Sequence, residues 1–254
     1  SMTARDVAPD RLGRATLEIG GLLDALGGDR VGVVVFAGRA FVACPLTSDY
    51  AAAKLFLRSV GPDAIPQQGT AVAEALAAAR EVLDAAERGA RSKVVLLVSD
   101  GEDQEGGAAE AATALADAGI RVHALGVGTP GGGPIPLLDR NGSVTGYKED
   151  RRGETVVTRL EEDGLRRIAE KGGGETFLVG VPGRDVAAFR ASLEKLEKSE
   201  LESRVTVTYE DRYALAAFPA FLLLLASLLV KEARPSTSRA LRARYARDER
   251  GGTR

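Results

Sequence analysis

The stretch KVVLLVSDGEDQEG, residues 93–106, decides the reading of the fold. Val94 to Val98 form a short unbroken apolar run rich in β-branched residues, the pattern of a strand buried on both faces of a parallel sheet. Asp100 and Gly101 follow at once, and then Glu102, Asp103 and Glu105. In open parallel sheets ligands gather at the carboxyl ends of strands, so this acidic turn stands where a site is expected. Working outward, VGVVVFAG (31–38), IRVHALGVG (120–128) and ETFLVG (175–180) read as further buried strands. Helical spacing of apolar residues predicts helices over 10–26, 48–59, 70–87, 106–118, 161–171 and 183–202. Strand, turn, helix and strand in alternation give an α/β domain with a doubly wound, mostly parallel, Rossmann-like sheet. Only 131–159 breaks the rhythm. There GGGPIP, DRNGS and GYKEDRRGE read as loops joining short antiparallel strands, with Asn141-Gly142 as the hairpin signal.

Composition narrows the function classes. Residues 231–254 carry eight Lys or Arg against three acids, so the tail is +5 and the rest of the chain about −7. A mildly acidic body does not fit a nucleic-acid binder. Cys44 is the only cysteine, which excludes an internal disulfide, and its setting FVACPL reads as buried apolar sequence. His123 is the only histidine and lies within a strand, which argues against a His-rich zinc site or a Ser-His-Asp triad. GVGTPGGG (126–133) resembles a phosphate loop only superficially. It has no Lys-Ser/Thr, and Pro130 and Pro134 stop a following helix, so it reads as a rim loop.

From Ala214 to Val230 the chain runs ALAAFPAFLLLLASLLV, seventeen residues without a charge. That is the short end of what crosses a bilayer core of roughly 30 Å. Tyr209 and Tyr213 precede it as interfacial anchors would, and Lys231 and Arg234 close it. The domain organisation is then an α/β domain over 1–203 with its insertion at 131–159, a linker over 204–213, a transmembrane helix over 214–230 and a basic tail over 231–254. The basic flank puts the tail on the cytoplasmic side and the α/β domain outside the cytoplasm.

Asp100 at the strand end and Thr70 in PQQGTA at a helix start both offer hard oxygen donors, which favour Mg²⁺, Mn²⁺ or Ca²⁺ over softer metals. Each also has an ordinary reading: Thr70 as a helix N-cap, Asp100 as a capping or solvated loop acid. Residue types alone leave both open.

The ordered blocks SMTARDVAPDRLGRA, GDRVGVVVFAGRAFVACPLTSDYAAAKLFL, IPQQGTAVAEAL, KVVLLVSDGEDQEG, VHALGVGT and GGPIPLLDRNGSVTGYKEDRRGETVVTRLEEDGLRRIAEKGGG resemble a von Willebrand factor A domain of the Bat-type (BatA/BatB-like, aerotolerance-related) bacterial membrane proteins. The resemblance implies a metal-ion-dependent adhesion site built from D-x-S-x-S after the first strand, a later Thr and a later Asp. Thr70 matches that Thr, Asp100 that Asp, and Ser1 the last Ser of D-x-S-x-S. The leading Asp and Ser, and the central strand before them, are absent from this chain, so it is expected to bind Mg²⁺ (or Mn²⁺ or Ca²⁺) weakly. The implied function is a membrane-anchored interaction module of the bacterial inner membrane, with one coordination position open to an acidic residue of a protein partner. A MoxR-type ATPase and other Bat-type proteins are the implied associates. A metal-assisted hydrolase and a structural scaffold with a degenerate site are the alternatives.

Overall fold

Asp10 starts the first helix: its carboxylate accepts the Gly13 N–H at 2.7 Å and caps α1 (Arg11–Ala25). The computed structural model describes residues 1–61, 69–85, 92–103, 106–139 and 142–205, with Phe218, Ala220, Leu222, Leu223 and Leu225. These fall into two units, Ser1–Arg204 and Val205–Arg254.

In the first unit, β1 (Val31–Phe36) pairs antiparallel with β2 (Ala40–Thr47), and the two make a sheet of their own. Helices α2 (Tyr50–Ser59) and α3 (Val72–Asp84) follow. Then come β3 (Lys93–Ser99), α4 (Ala108–Asp117) and β4 (Ile120–Gly126). The insertion contributes β5 (Gly133–Pro134), β6 (Pro136–Leu138), β7 (Val144–Tyr147) and β8 (Val157–Thr158), paired antiparallel as β5 with β8 and β6 with β7. Helix α5 (Glu162–Lys171), strand β9 (Gly173–Leu178) and helix α6 (Val186–Val205) complete the order. Strands β3, β4 and β9 form a parallel sheet with β4 in the middle.

One expectation changes. The run 31–38 is not a buried parallel strand; it is half-buried and pairs antiparallel with β2. Strand β2 contains Pro45, and a proline is tolerated on an edge: β1 is the only partner of β2 among the described residues.

The wound sheet is in two parts among the described residues, and β1 is not hydrogen-bonded to β3. A cavity of about 1220 Å³ lies between them, lined by Val33 and Val35 on one side and Leu96 and Val98 on the other. Apolar packing follows the same division. Leu23, Cys44 and Ala53 form a small cluster with the first sheet, whereas Leu76, Leu97, Ile120, Val122 and Leu165 fill one face of the second. On the other face Leu125, Phe177 and Phe189 pack together.

His123 belongs to that last face. Its Nδ1 accepts the Glu175 N–H at 3.1 Å, and its ring meets Phe177 and Phe189 with centroids 5.9 and 5.4 Å away. Burial lowers its pKa, so the imidazole is neutral at physiological pH. It is a strand histidine, but only half satisfied, since Nε2 has no partner among the described residues.

Among the described residues no helix is long and apolar enough to cross a membrane. Of the span 214–230, only Phe218, Ala220, Leu222, Leu223 and Leu225 are described; all five are helical and exposed. The rest of that span, most of the linker and the basic tail lie outside the described residues.

Candidate functional site

Asp100 is neither a cap nor a solvated acid. It sits at the carboxyl end of β3 with 1% of its surface exposed. Its Oδ2 accepts from Arg11 Nη1 at 3.0 Å, and Arg11 is itself fully buried. The same guanidinium reaches across to Asp6, with Nε donating to Oδ1 at 2.8 Å and Nη2 to Oδ2 at 2.9 Å. Arg11 also donates to Thr158, from Nη1 to the hydroxyl at 3.1 Å and from Nη2 to the backbone carbonyl at 3.1 Å. A planar cation with five donors suits this position, since it satisfies two carboxylates and a strand end at once.

Thr158 extends the network. Its hydroxyl donates to Glu102 Oε1 at 2.6 Å and lies 3.4 Å from Asp100 Oδ2. Thr129 supplies two more donors to Asp6 Oδ2, from its backbone N–H at 2.8 Å and its hydroxyl at 3.0 Å. For Asp6, burial pushes the carboxyl pKa up, but the hydrogen bonds and charge of Arg11 and the two Thr129 donors outweigh it and hold the group at about 2. The stretch 126–133 is thus a rim loop that clasps the N-terminal segment.

Two glycines allow the close approaches. Gly101 has φ +90°, and a Cβ there would stand 2.3 Å from the Glu161 carbonyl oxygen. Gly128 has φ +139°, and a Cβ there would meet the Arg11 guanidinium at 2.9 Å. Both positions require a residue that tolerates positive φ and has no side chain.

Ser1, Thr70 and Asp100 line the same cavity between β1 and β3. Thr70 does not cap α3: Ala71 holds the N-cap position, and no side chain bonds there. Ala71 N–H donates instead to the Ala37 carbonyl at 2.7 Å, anchoring this segment just beyond the end of β1.

The donor set suits a hard divalent cation in kind, with two hydroxyls and one carboxylate. Asp100 Oδ1 has capacity to spare, since its one contact among the described residues is a long 3.4 Å hydrogen bond from the Glu102 N–H. The set is short of charge, however. Asp100 shares its negative charge with Arg11, and the described residues hold no group of three or more His, Cys, Asp or Glu placed for a metal.

Sequence reasoning singled out Asp100 and Thr70 but missed Arg11, Asp6 and Thr158. For Arg11 a signal existed: helical spacing back from Leu22 through Ala15 lands on it, so a charged residue occupies the buried face of α1. Asp6 and Thr158 carry no such signal, because only the folded chain brings them to it.

A family profile described as the von Willebrand factor type A domain matches residues 1–102. Protein BatB from Bacteroides thetaiotaomicron, described as a conserved hypothetical protein, is 42% identical in its crystal structure. The match covers 78% of this chain and 94% of that one, with a TM-score of 0.72. An aerotolerance-related membrane protein from Bacteroides fragilis NCTC 9343, crystallised with multiple mutations to serines, is 40% identical over the same shares, with a TM-score of 0.69. No curated protein sequence gives a significant match.

Proposed function

Because the chain belongs to the von Willebrand factor type A domain family, beside BatB-like bacterial proteins, we propose that it is a membrane-anchored interaction module that captures an acidic residue of a protein partner through a bound divalent cation. The observation that carries this reading is that Ser1, Thr70 and Asp100 all line the cavity between β1 and β3, with Asp100 Oδ1 only weakly engaged. Those three oxygens would hold Mg²⁺ or Mn²⁺, and the cation would supply an open position for a carboxylate. The polar side chains packed around Asp100 (Arg11, Asp6, Thr158 and Glu102) are bonded to one another, an arrangement that holds a site rigid and leaves none of them poised for proton transfer. Binding, not catalysis, is the function they suit.

Helical, exposed Phe218, Leu222, Leu223 and Leu225 support a C-terminal anchor in the bacterial inner membrane. A MoxR-type ATPase and other Bat-type proteins are the proposed associates, and that part rests on the resemblance alone. Calorimetric titration with Mg²⁺ and Mn²⁺ tests the core of the reading. Asp100→Asn and Thr70→Val are each expected to weaken binding at least tenfold with the circular dichroism spectrum unchanged. Equal affinity in the wild type and both variants would overturn it.

A further inference from the structure

We infer that Arg11 and Thr158 are positioning residues that key the 131–159 insertion to the carboxylate of Asp100, so that the insertion and the β3 end respond as one. The inference rests on the cation reading only for its meaning; the coupling itself is a property of the metal-free chain.

Both strands of the insertion's base meet this network. On the outgoing side Gly132 lies against the Thr158 carbonyl, where an added Cβ would come within 2.2 Å. On the returning side Thr158 is the last residue of β8, is 2% exposed, and takes two hydrogen bonds from Arg11. The Thr158 hydroxyl has one proton and two carboxylates within reach. It gives that proton to Glu102 at 2.6 Å, while Asp100 stands at 3.4 Å. A change in charge or position at Asp100 therefore alters what Arg11 and Thr158 can bond to. Thr158 passes that change straight into β8.

Apart from Gly133, which lies against Asp6, and the buried Pro136, much of the insertion is exposed among the described residues. Leu137, Leu138, Val144, Tyr147 and Val157 are between 39% and 50% exposed. Its internal order comes from backbone bonds, Lys148 N–H to Ile135 O and Val156 N–H to Lys148 O, both at 2.8 Å. Arg5 of the N-terminal segment reaches it through a long hydrogen bond to the Gly142 carbonyl at 3.5 Å. The Arg11–Thr158 contact is the buried polar point at which it is held, and buried, hydrogen-bonded groups carry far more of the positional energy than exposed ones.

Hydrogen exchange on the whole chain, first without metal, tests this. Asp100→Asn keeps an acceptor for Arg11 but removes the charge; Thr158→Val keeps the shape but removes the hydroxyl. Each is expected to speed exchange at the Lys148 and Val156 amides at least fivefold more than it speeds exchange at the Leu97 and Leu125 amides, which report the global loss of stability. The double variant should exchange no more than twofold faster than either single one, and Thr158→Ser should behave as wild type. Unchanged exchange in the insertion, fully multiplicative effects, or acceleration spread evenly over β3 and β4 would overturn the coupling. A second arm adds Mg²⁺. If the wild type binds it, exchange at Lys148 and Val156 should change at least threefold, and in Thr158→Val the change should vanish although calorimetry still shows Mg²⁺ bound. A wild-type-sized change in that variant would also overturn the coupling. If Mg²⁺ does not bind the wild type, the cation reading falls, and the coupling stands or falls on the metal-free arm.

Discussion

Arg11 is where four segments of the chain meet: the N-terminal stretch, α1, the end of β3 and the end of the insertion. Removing one partner of a buried ion pair costs roughly 3–5 kcal/mol, because the other charge is left without compensation. The network also sets an acid limit on stability. Asp6 has its pKa depressed from the ordinary 3.8 to about 2, so it contributes stability above the unfolded value and loses it as pH falls through the folded one. That contribution is on the order of 2 kcal/mol at neutral pH. Urea unfolding between pH 5 and pH 2 is expected to show a steeper loss of stability in the wild type than in Asp6→Asn. Parallel slopes would refute the assignment. At this scale the sequence was half legible. Asp100 is visible at the end of an apolar run, but its counter-ion lies 89 positions earlier, and no local pattern joins the two.

At the scale of elements, β4 is the strand on which the second sheet depends, with β3 and β9 on either side. Its register with β3 is unbroken from Lys93–Ile120 to Ser99–Gly126, and Leu125 is fully buried against Phe177 and Phe189. Leu125→Ala should therefore cost about 2–5 kcal/mol in denaturant unfolding. Leu17, on α1 but 65% exposed, should tolerate the same change within about 0.5 kcal/mol. Similar losses at both positions would mean that burial does not rank these elements as described. Helices α1, α4 and α5 were readable from periodicity because each buries one regular face, and strands β3 and β4 from their unbroken apolar runs. Strand β2 was not, since an edge strand with an internal proline satisfies only half the strand pattern.

At the scale of the molecule, the first unit is built as two packed halves facing one cavity. The αβ rhythm of the sequence predicted the alternation of elements well. It could not show that β1 and β3 stand apart, because strand order is set by long-range pairing. The halves need not share one stability, since proteins open in contiguous cooperative parts. The chain carries its own gauge of that difference in Cys44. This one thiol is 2% exposed, lies on β2 opposite Val33, and packs with Leu23 and Ala53. Burial, and then the charge of Asp49, raises its pKa, so at neutral pH it stays protonated and unreactive until the hairpin opens. A thiol reagent should thus label the folded protein orders of magnitude more slowly than a free thiol, at a rate that follows the opening of β1 and β2. Where that opening is easier than the exchange of the deepest β4 amides, the chemical clock and the isotopic one will tell different times within a single polypeptide.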